Sequence, residues 1–169
     1  CVRFRDPRRF GSVTWVSGDP LESPYLCHLG PEPLVDNFSG HYLYTRARGR
    51  RTAVKNFIMD GRIVVGVGNI YASEALFRSG IRPTRAAGRI ALERYSLLVT
   101  AIQSVLSEAI AAGGTTLRDY SRVTGEPGYF EQALKVYERQ AQPCEACGHL
   151  IKRKVIGQRA SYYCPSCQR

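Results

Sequence analysis

Over the first sixteen residues, apolar positions alternate loosely with polar ones. Val13, Trp15 and the neighbouring Thr14 and Val16 have β character, so strands are expected within 2–16, with a bend at Arg9-Phe10-Gly11. The pattern then breaks. Gly18-Asp19-Pro20, Ser23-Pro24 and Gly30-Pro31-Glu32-Pro33 crowd turn formers into 17–37, which predicts loop and linker and a boundary there. From about residue 38 the period becomes helical. Tyr42-Leu43-Tyr44 opens one segment, and Thr52 is placed to cap another that carries Val54, Phe57 and Ile58 at helical spacing. The strongest helix is predicted over 91–112, where Leu92, Tyr95, Leu98, Ile102, Val105 and Ile110 form an apolar stripe that Gly113-Gly114 ends. Beyond it, Thr115 or Thr116 is placed to cap a short helix closing at Asp119-Tyr120. Gly125-Glu126-Pro127-Gly128 reads as a loop, and Leu134-Lys135-Val136-Tyr137 as a strand. The chain has no internal repeat and no apolar run near the length of a membrane span.

Chemistry enters most clearly near the C-terminus. Cys144-Glu-Ala-Cys147 and Cys164-Pro-Ser-Cys167 are two CxxC knuckles separated by sixteen residues. Each can place two sulfurs on one side of a tight turn, and the intervening segment is long enough for a β-hairpin that brings the turns together. Four thiolates then close a tetrahedral shell around one Zn2+, with no open position for water, so the metal is structural. Two disulfides, or four unrelated thiols, are the alternatives. Gly148 and Pro165 suit the knuckle turns. Cys1 and Cys27 form no second motif, and no secretory signal is visible, which favours a reducing compartment and metal over disulfides.

Charge narrows the partner. The 169 residues carry 24 Lys+Arg against 14 Asp+Glu, a formal charge of +10, with an ordinary 44% hydrophobic content. Such an imbalance favours a polyanion, most simply nucleic acid, and no strongly basic amphipathic helix argues for a membrane surface instead. The basic residues fall in three runs: Arg3, Arg5, Arg8 and Arg9; Arg46, Arg48, Arg50, Arg51 and Lys55; and Lys152, Arg153, Lys154 and Arg159 between the knuckles. One such run is most simply a solvated face. Three, one of them inside a metal module, point toward phosphate binding.

Gly66-Val67-Gly68-Asn69-Ile70-Tyr71-Ala72-Ser73-Glu74-Ala75-Leu76 adds a second motif. Its glycines let a turn approach a ligand closely, Asn69 sits where a helix N-cap belongs, and the N–H groups of that helix suit a phosphate. A plain capped helix after a glycine turn is the alternative.

Taken together, the run from Val64 to Phe77, Gly113-Gly114-Thr115-Thr116-Leu117, Gly128-Tyr129-Phe130 and the knuckles ending Cys164-Pro165-Ser166-Cys167-Gln168 resemble the bacterial formamidopyrimidine-DNA glycosylase family. Asp6-Pro7-Arg8-Arg9-Phe10-Gly11 and His28-Leu29-Gly30-Pro31-Glu32-Pro33-Leu34 match the end of that family's N-terminal domain, so the resemblance covers essentially the whole chain. It implies an α+β architecture in three parts. Residues 1–37 would be terminal strands of a β-sandwich catalytic domain plus linker. Residues 38–128 would be a helix–two-turn–helix DNA-binding module, and 129–169 a zinc ribbon. The implied partner is double-stranded DNA containing an oxidised purine or an abasic site, bound by a monomer in the bacterial cytoplasm at the nucleoid, with no membrane role.

The resemblance also implies roles. Asn69 and Arg51 would hold backbone phosphates. Arg8 would reach the cytosine left unpaired opposite the lesion, and Phe10 would wedge into the vacated stack, as base flipping requires. Without the family, Phe10 reads as a core aromatic beside Trp15. The loop carrying Tyr120, Thr124, Gly125 and Gly128 would cover the extruded base. Arg159 would grip phosphates flanking the flipped nucleotide, and family members also assign it a proton in the final elimination. A guanidinium whose pKa exceeds about 12 is a poor proton donor, so the phosphate role carries more weight.

The implied activity is base-excision repair by a bifunctional glycosylase and abasic-site lyase, acting on formamidopyrimidine and 8-oxoguanine through a Schiff base on an N-terminal proline. This chain begins at Cys1-Val2-Arg3-Phe4, within what resembles late strands of the catalytic domain, and lacks that proline and the glutamate beside it. The expectation is therefore a family enzyme by descent, with a catalytically inactive damaged-DNA-binding fragment as the alternative. A zinc-ribbon protein adaptor is a third, remoter class. Glu138 stands where the family usually has glycine.

Overall fold

The computed structural model describes residue 4 and residues 11–35, 37–114 and 134–169. Four helices build the larger part: α1 (Gly40–Ala47), α2 (Val54–Ile58), α3 (Asn69–Arg78) and α4 (Leu92–Ala111). A hairpin of β1 (Lys152–Ile156) and β2 (Arg159–Tyr163) forms the smaller, so the fold is α+β. Among the described residues, no helix is long and apolar enough to cross a membrane.

The apolar stripe predicted over 91–112 becomes α4. Tyr95, Leu98, Val99, Ile102, Val105, Leu106 and Ala109 are buried along one face, and that face packs against α1 and α3, whereas Ile110, expected in the stripe, falls off that face and is 66% exposed. Leu43, Val54, Phe57, Ile58, Ala72, Ala75 and Leu76 complete a single core. Gly40 permits the α1–α4 approach, because a Cβ there would lie 2.7 Å from the Ser96 backbone. Gly113 and Gly114 end α4 with φ of 75° and 91°, and the Gly114 N–H donates to the Ala109 carbonyl at 2.7 Å. Arg78 on α3 and Glu108 on α4 form a two-pronged ion pair at 2.5 and 2.7 Å. The guanidinium pulls the Glu108 carboxyl down to about 2.

Four expectations are corrected. Thr52 does not cap α2; the N-cap is Ala53, whose side chain offers no oxygen. Asn69 is the first residue of α3 rather than its cap, and its amide is engaged elsewhere. Residues 11–16 form no strand, and Trp15 is 93% exposed rather than in a core. A strand needs a ladder partner, and the two strands among the described residues pair with each other. Residues 134–137 are not a strand either. The N–H groups of Lys135, Val136 and Tyr137 all donate to the Glu74 carboxylate, at 2.9, 3.0 and 2.9 Å, instead of to a neighbouring strand. Within the linker, Pro20–Glu22 makes one 3-10 turn capped by Asp19.

Candidate metal centre and nucleic-acid interface

The two knuckles fold as paired turns. After the first, Gly148 takes φ 75° and its N–H donates to the Cys144 carbonyl at 2.8 Å. After the second, the Gln168 N–H returns to the Cys164 carbonyl at 3.1 Å. The hairpin between them closes through Gly157 and Gln158, with φ 55° and 62°, the two-residue geometry that matches strand twist. All four sulfurs lie within 4.8 Å of one another, with Cys144–Cys167 at 3.9 Å and Cys147–Cys164 at 3.4 Å. A tetrahedral zinc shell with bonds of about 2.3 Å places its sulfurs about 3.8 Å apart. None of the four is joined in a disulfide. The donor set therefore fits one Zn2+ and fills its coordination, so the metal organises the ribbon. Hydrogen bonding at the His149 backbone and from Cys167 pulls the Cys147 thiol down to about 6, while Cys167, sharing its proton with Cys147, is pushed up. A divalent cation removes that competition by holding all four as thiolates.

The hairpin is tied to the helices through a buried lysine. Lys55, on α2 next to Val54, is fully buried. Its ammonium donates to Asn69 Oδ1 at 2.5 Å, Ser161 Oγ at 2.7 Å and the Ala160 carbonyl at 3.1 Å. Asn69 Nδ2 donates to the same carbonyl at 3.1 Å and to the Tyr137 hydroxyl at 3.3 Å. Every acceptor around the ammonium is neutral. Desolvation, and then the nearby Arg159 guanidinium, lower Lys55 to about 8. Arg159 begins β2 at the hairpin tip, exposed, and its side chain has no acidic partner among the described residues. The α3 N-terminus carries no side-chain cap, so its first N–H groups add partial positive charge beside Lys55 and Arg159. Arg51 lies exposed in the loop between α1 and α2 with its guanidinium unengaged by any described residue.

Two further ties join ribbon and helices. Glu74, fully buried on α3, holds residues 135–137. Gln168, 1% exposed, accepts from the Cys164 N–H at 2.8 Å and donates to the Ile81 carbonyl at 2.9 Å. The sequence marked Lys55 only as part of a charged run. The signal for its burial was its place between Val54 and Phe57, and for Glu74 a lone acid inside an otherwise uncharged run. Nothing in the sequence signalled Gln168. The structure brings Asn69 to the Ala160 carbonyl beside Arg159, and separately gathers the four cysteines into one cluster. Arg8, Phe10, Tyr120, Thr124, Gly125 and Gly128 lie outside the described residues.

Comparison with known proteins fits this arrangement. Residues 29–121 match the family model "Formamidopyrimidine-DNA glycosylase H2TH domain", and residues 141–169 match "Zinc finger found in FPG and IleRS". The chain belongs to the formamidopyrimidine-DNA glycosylase family. It is 60% identical over 168 residues to the glycosylase of Syntrophotalea carbinolica, covering 99% of this chain and 62% of that protein. It is 58% identical to that of Alkalilimnicola ehrlichii, covering 100% and 61%. The chain thus spans about three-fifths of the length of these curated relatives. Among solved structures, the MutM (Fpg) protein of Thermus thermophilus superposes with a TM-score of 0.89 at 40% identity, covering 96% of this chain and 62% of that one. A complex of Lactococcus lactis Fpg with DNA containing an abasic site gives 0.80 at 30% identity, covering 86% and 54%.

Proposed function

We propose that this chain grips duplex DNA around an oxidised purine or an abasic site, as the DNA-holding part of a base-excision repair glycosylase. The observation that carries the reading is the junction of α3 with the zinc hairpin. There Lys55 and Asn69 weld the two elements together, and Arg159 stands beside them with no acid among the described residues to neutralise it. Lys55 is a buried cation whose three donors are taken by neutral oxygens, so its charge is not neutralised inside the junction and adds to the positive field there. Arg159 and Arg51 would each clamp a flanking phosphate with a planar fork of donors. Arg8, Phe10 and the loop at 120–128 would reach the opposing base, the vacated stack and the extruded purine. The relative's complex with abasic DNA supports this class of ligand.

Glycosylase and lyase chemistry belongs to the reading as the activity of the larger family enzyme, with Arg159 binding phosphate rather than donating a proton. These 169 residues supply the phosphate-holding groups, and on their own they are expected to act as a monomeric binding module in the bacterial cytoplasm.

The test is borohydride trapping on a duplex containing 8-oxoguanine, run beside a salt titration. Saturable binding that falls steeply with salt, without a covalent adduct, is expected. A trapped adduct would overturn the binding-only reading, and binding flat in salt would favour a protein adaptor. Affinity should also decline as pH rises through about 8, because Lys55 then loses its charge and the positive field of the junction weakens.

A further inference from the structure

A second basic feature lies away from this junction. Arg85, Arg89, Arg94 and Arg169 line one cavity of about 140 Å3, together with Ile81, Ile90 and Ala91. Its floor is the turn after α3, its wall the 3-10 turn Ala87–Arg89 and the start of α4, and its rim the last residue of the ribbon. Gly80, which anchors Arg94 here, lies just past the C-terminal end of α3, whereas Asn69 is at the N-terminal end. Ten residues at about 1.5 Å each separate the two places by roughly 15 Å.

Its charged side chains are all of one sign. No acidic side chain lines the cavity, and none of the four arginines forms an ion pair among the described residues. Arg94 is oriented by donating one nitrogen to the Gly80 carbonyl at 2.8 Å, and Arg85 by a long bond to the Arg89 carbonyl at 3.4 Å. Most of their donors remain free of the described residues, as do the side chains of Arg89 and Arg169. The N-cap of α4 is Ala91, so that twenty-residue helix begins at the cavity with no side-chain cap on its first turn. Against the four guanidinium groups stands one carboxylate, the α-carboxylate of Arg169 in the 169-residue chain, and the remaining excess of like charge repels unless a further anion joins it. The volume lies well below the roughly 300–1,000 Å3 typical of organic-ligand pockets, which suits a small ion rather than a nucleoside.

We propose that this cavity is a second anion site, built to take one phosphate-type group through the forks of Arg85, Arg89, Arg94 and Arg169. The proposal stands independently of the reading of the α3–hairpin junction. The group has two possible sources. It belongs to free inorganic pyrophosphate, or to a duplex that runs on past Arg51, since the Gly88 N–H donates to the Arg50 carbonyl at 2.9 Å and places the 3-10 turn against that loop.

The zinc-loaded 169-residue chain is titrated by calorimetry with inorganic pyrophosphate and, separately, with an undamaged duplex. Three variants are compared with wild type: Arg85→Ala/Arg89→Ala, the charge-keeping Arg85→Lys/Arg89→Lys, and Arg153→Ala/Lys154→Ala as a control for equal charge loss on the ribbon. Zinc content and helical circular dichroism confirm folding. Wild type is expected to bind pyrophosphate saturably. The Arg85/Arg89 alanine pair should lose at least tenfold, the lysine pair severalfold, and the ribbon control less than twofold. If duplex affinity is unchanged in the alanine pair, the source is a free anion. If it falls together with the salt slope, the source is a duplex phosphate, and either result supports the site. No saturable pyrophosphate binding by wild type, or an equal loss in the ribbon control, would overturn it. Failure of duplex binding in every protein would count against the DNA-gripping reading and leave the pyrophosphate result to decide the cavity.

Discussion

The helical module and the zinc ribbon reach order by different means. The module has more than twenty buried apolar residues in one continuous cluster, with Tyr95, Leu98 and Ile102 of α4 at its centre. Among the described residues, the ribbon's own buried cluster is Val136, Cys144, Ile151 and Cys164, with Phe77, Tyr162 and Cys167 packed beside them. Two of those four buried residues are metal ligands, so apolar burial alone is a weak source of stability there. The ribbon draws its order from the metal and from polar ties to its neighbour. Arg159 is carried on a hairpin whose order comes from elsewhere, while Asn69 is held from both sides, by Lys55 of the module and by the Tyr137 hydroxyl and Ala160 carbonyl of the ribbon.

The largest effect that could break this contrast is loss of the metal. Cys164→Ser leaves three thiolates, and zinc affinity on the scale of about 10 kcal/mol is forfeited. The hairpin amides over 152–163 should then exchange rapidly and duplex binding should disappear, while helical circular dichroism persists. Retained duplex affinity in a zinc-free variant would uncouple the ribbon from recognition.

Next comes the module's own core. Leu98 is fully buried, and Leu98→Ala should cost about 3 kcal/mol, read as a lower midpoint in denaturant. Zinc stoichiometry should stay at one per chain. A parallel loss of zinc would show that the two regions unfold as a single unit.

A smaller change probes the tie between them. Glu74→Ala removes the acceptor of three backbone N–H groups and should cost about 2 kcal/mol. Hydrogen exchange should rise first at residues 135–137, with the metal still bound. Protection unchanged at those amides would assign their order to something other than Glu74.

The smallest expected effect is a gain. Glu138 holds φ 58°, a conformation that costs a side chain of ordinary chirality about 1 kcal/mol and costs glycine little. Glu138→Gly should raise the midpoint by about that amount. A neutral or negative change would mean that the Glu138 side chain contributes something offsetting the strain.

Legibility in the sequence followed the type of interaction. The stripe on α4, its Gly113-Gly114 end and the paired knuckles were all visible, because each depends on spacing within a short stretch. Thr52 and Asn69 were misread as caps because a capping residue type shows only an available oxygen, and tertiary neighbours decide which donor claims it. For Asn69 that claim came from Lys55 and the Ala160 carbonyl, ninety-one residues away. The expected strand at 134–137 failed in a similar way, since β-forming residues extend only where a ladder exists, and here a buried carboxylate took their N–H groups.

By itself, then, the sequence determined the helical period, the four-thiolate zinc site, the excess of positive charge and the family. These are local or compositional properties that survive without knowing what lies beside what. Only the tertiary structure decided that Lys55 is buried rather than solvated, that Glu74 and Gln168 fasten the ribbon to the helices, and that Arg159 stands beside Asn69. Those facts depend on which distant polar groups meet inside a low-dielectric junction, where each must find a partner or bear the full cost of desolvation.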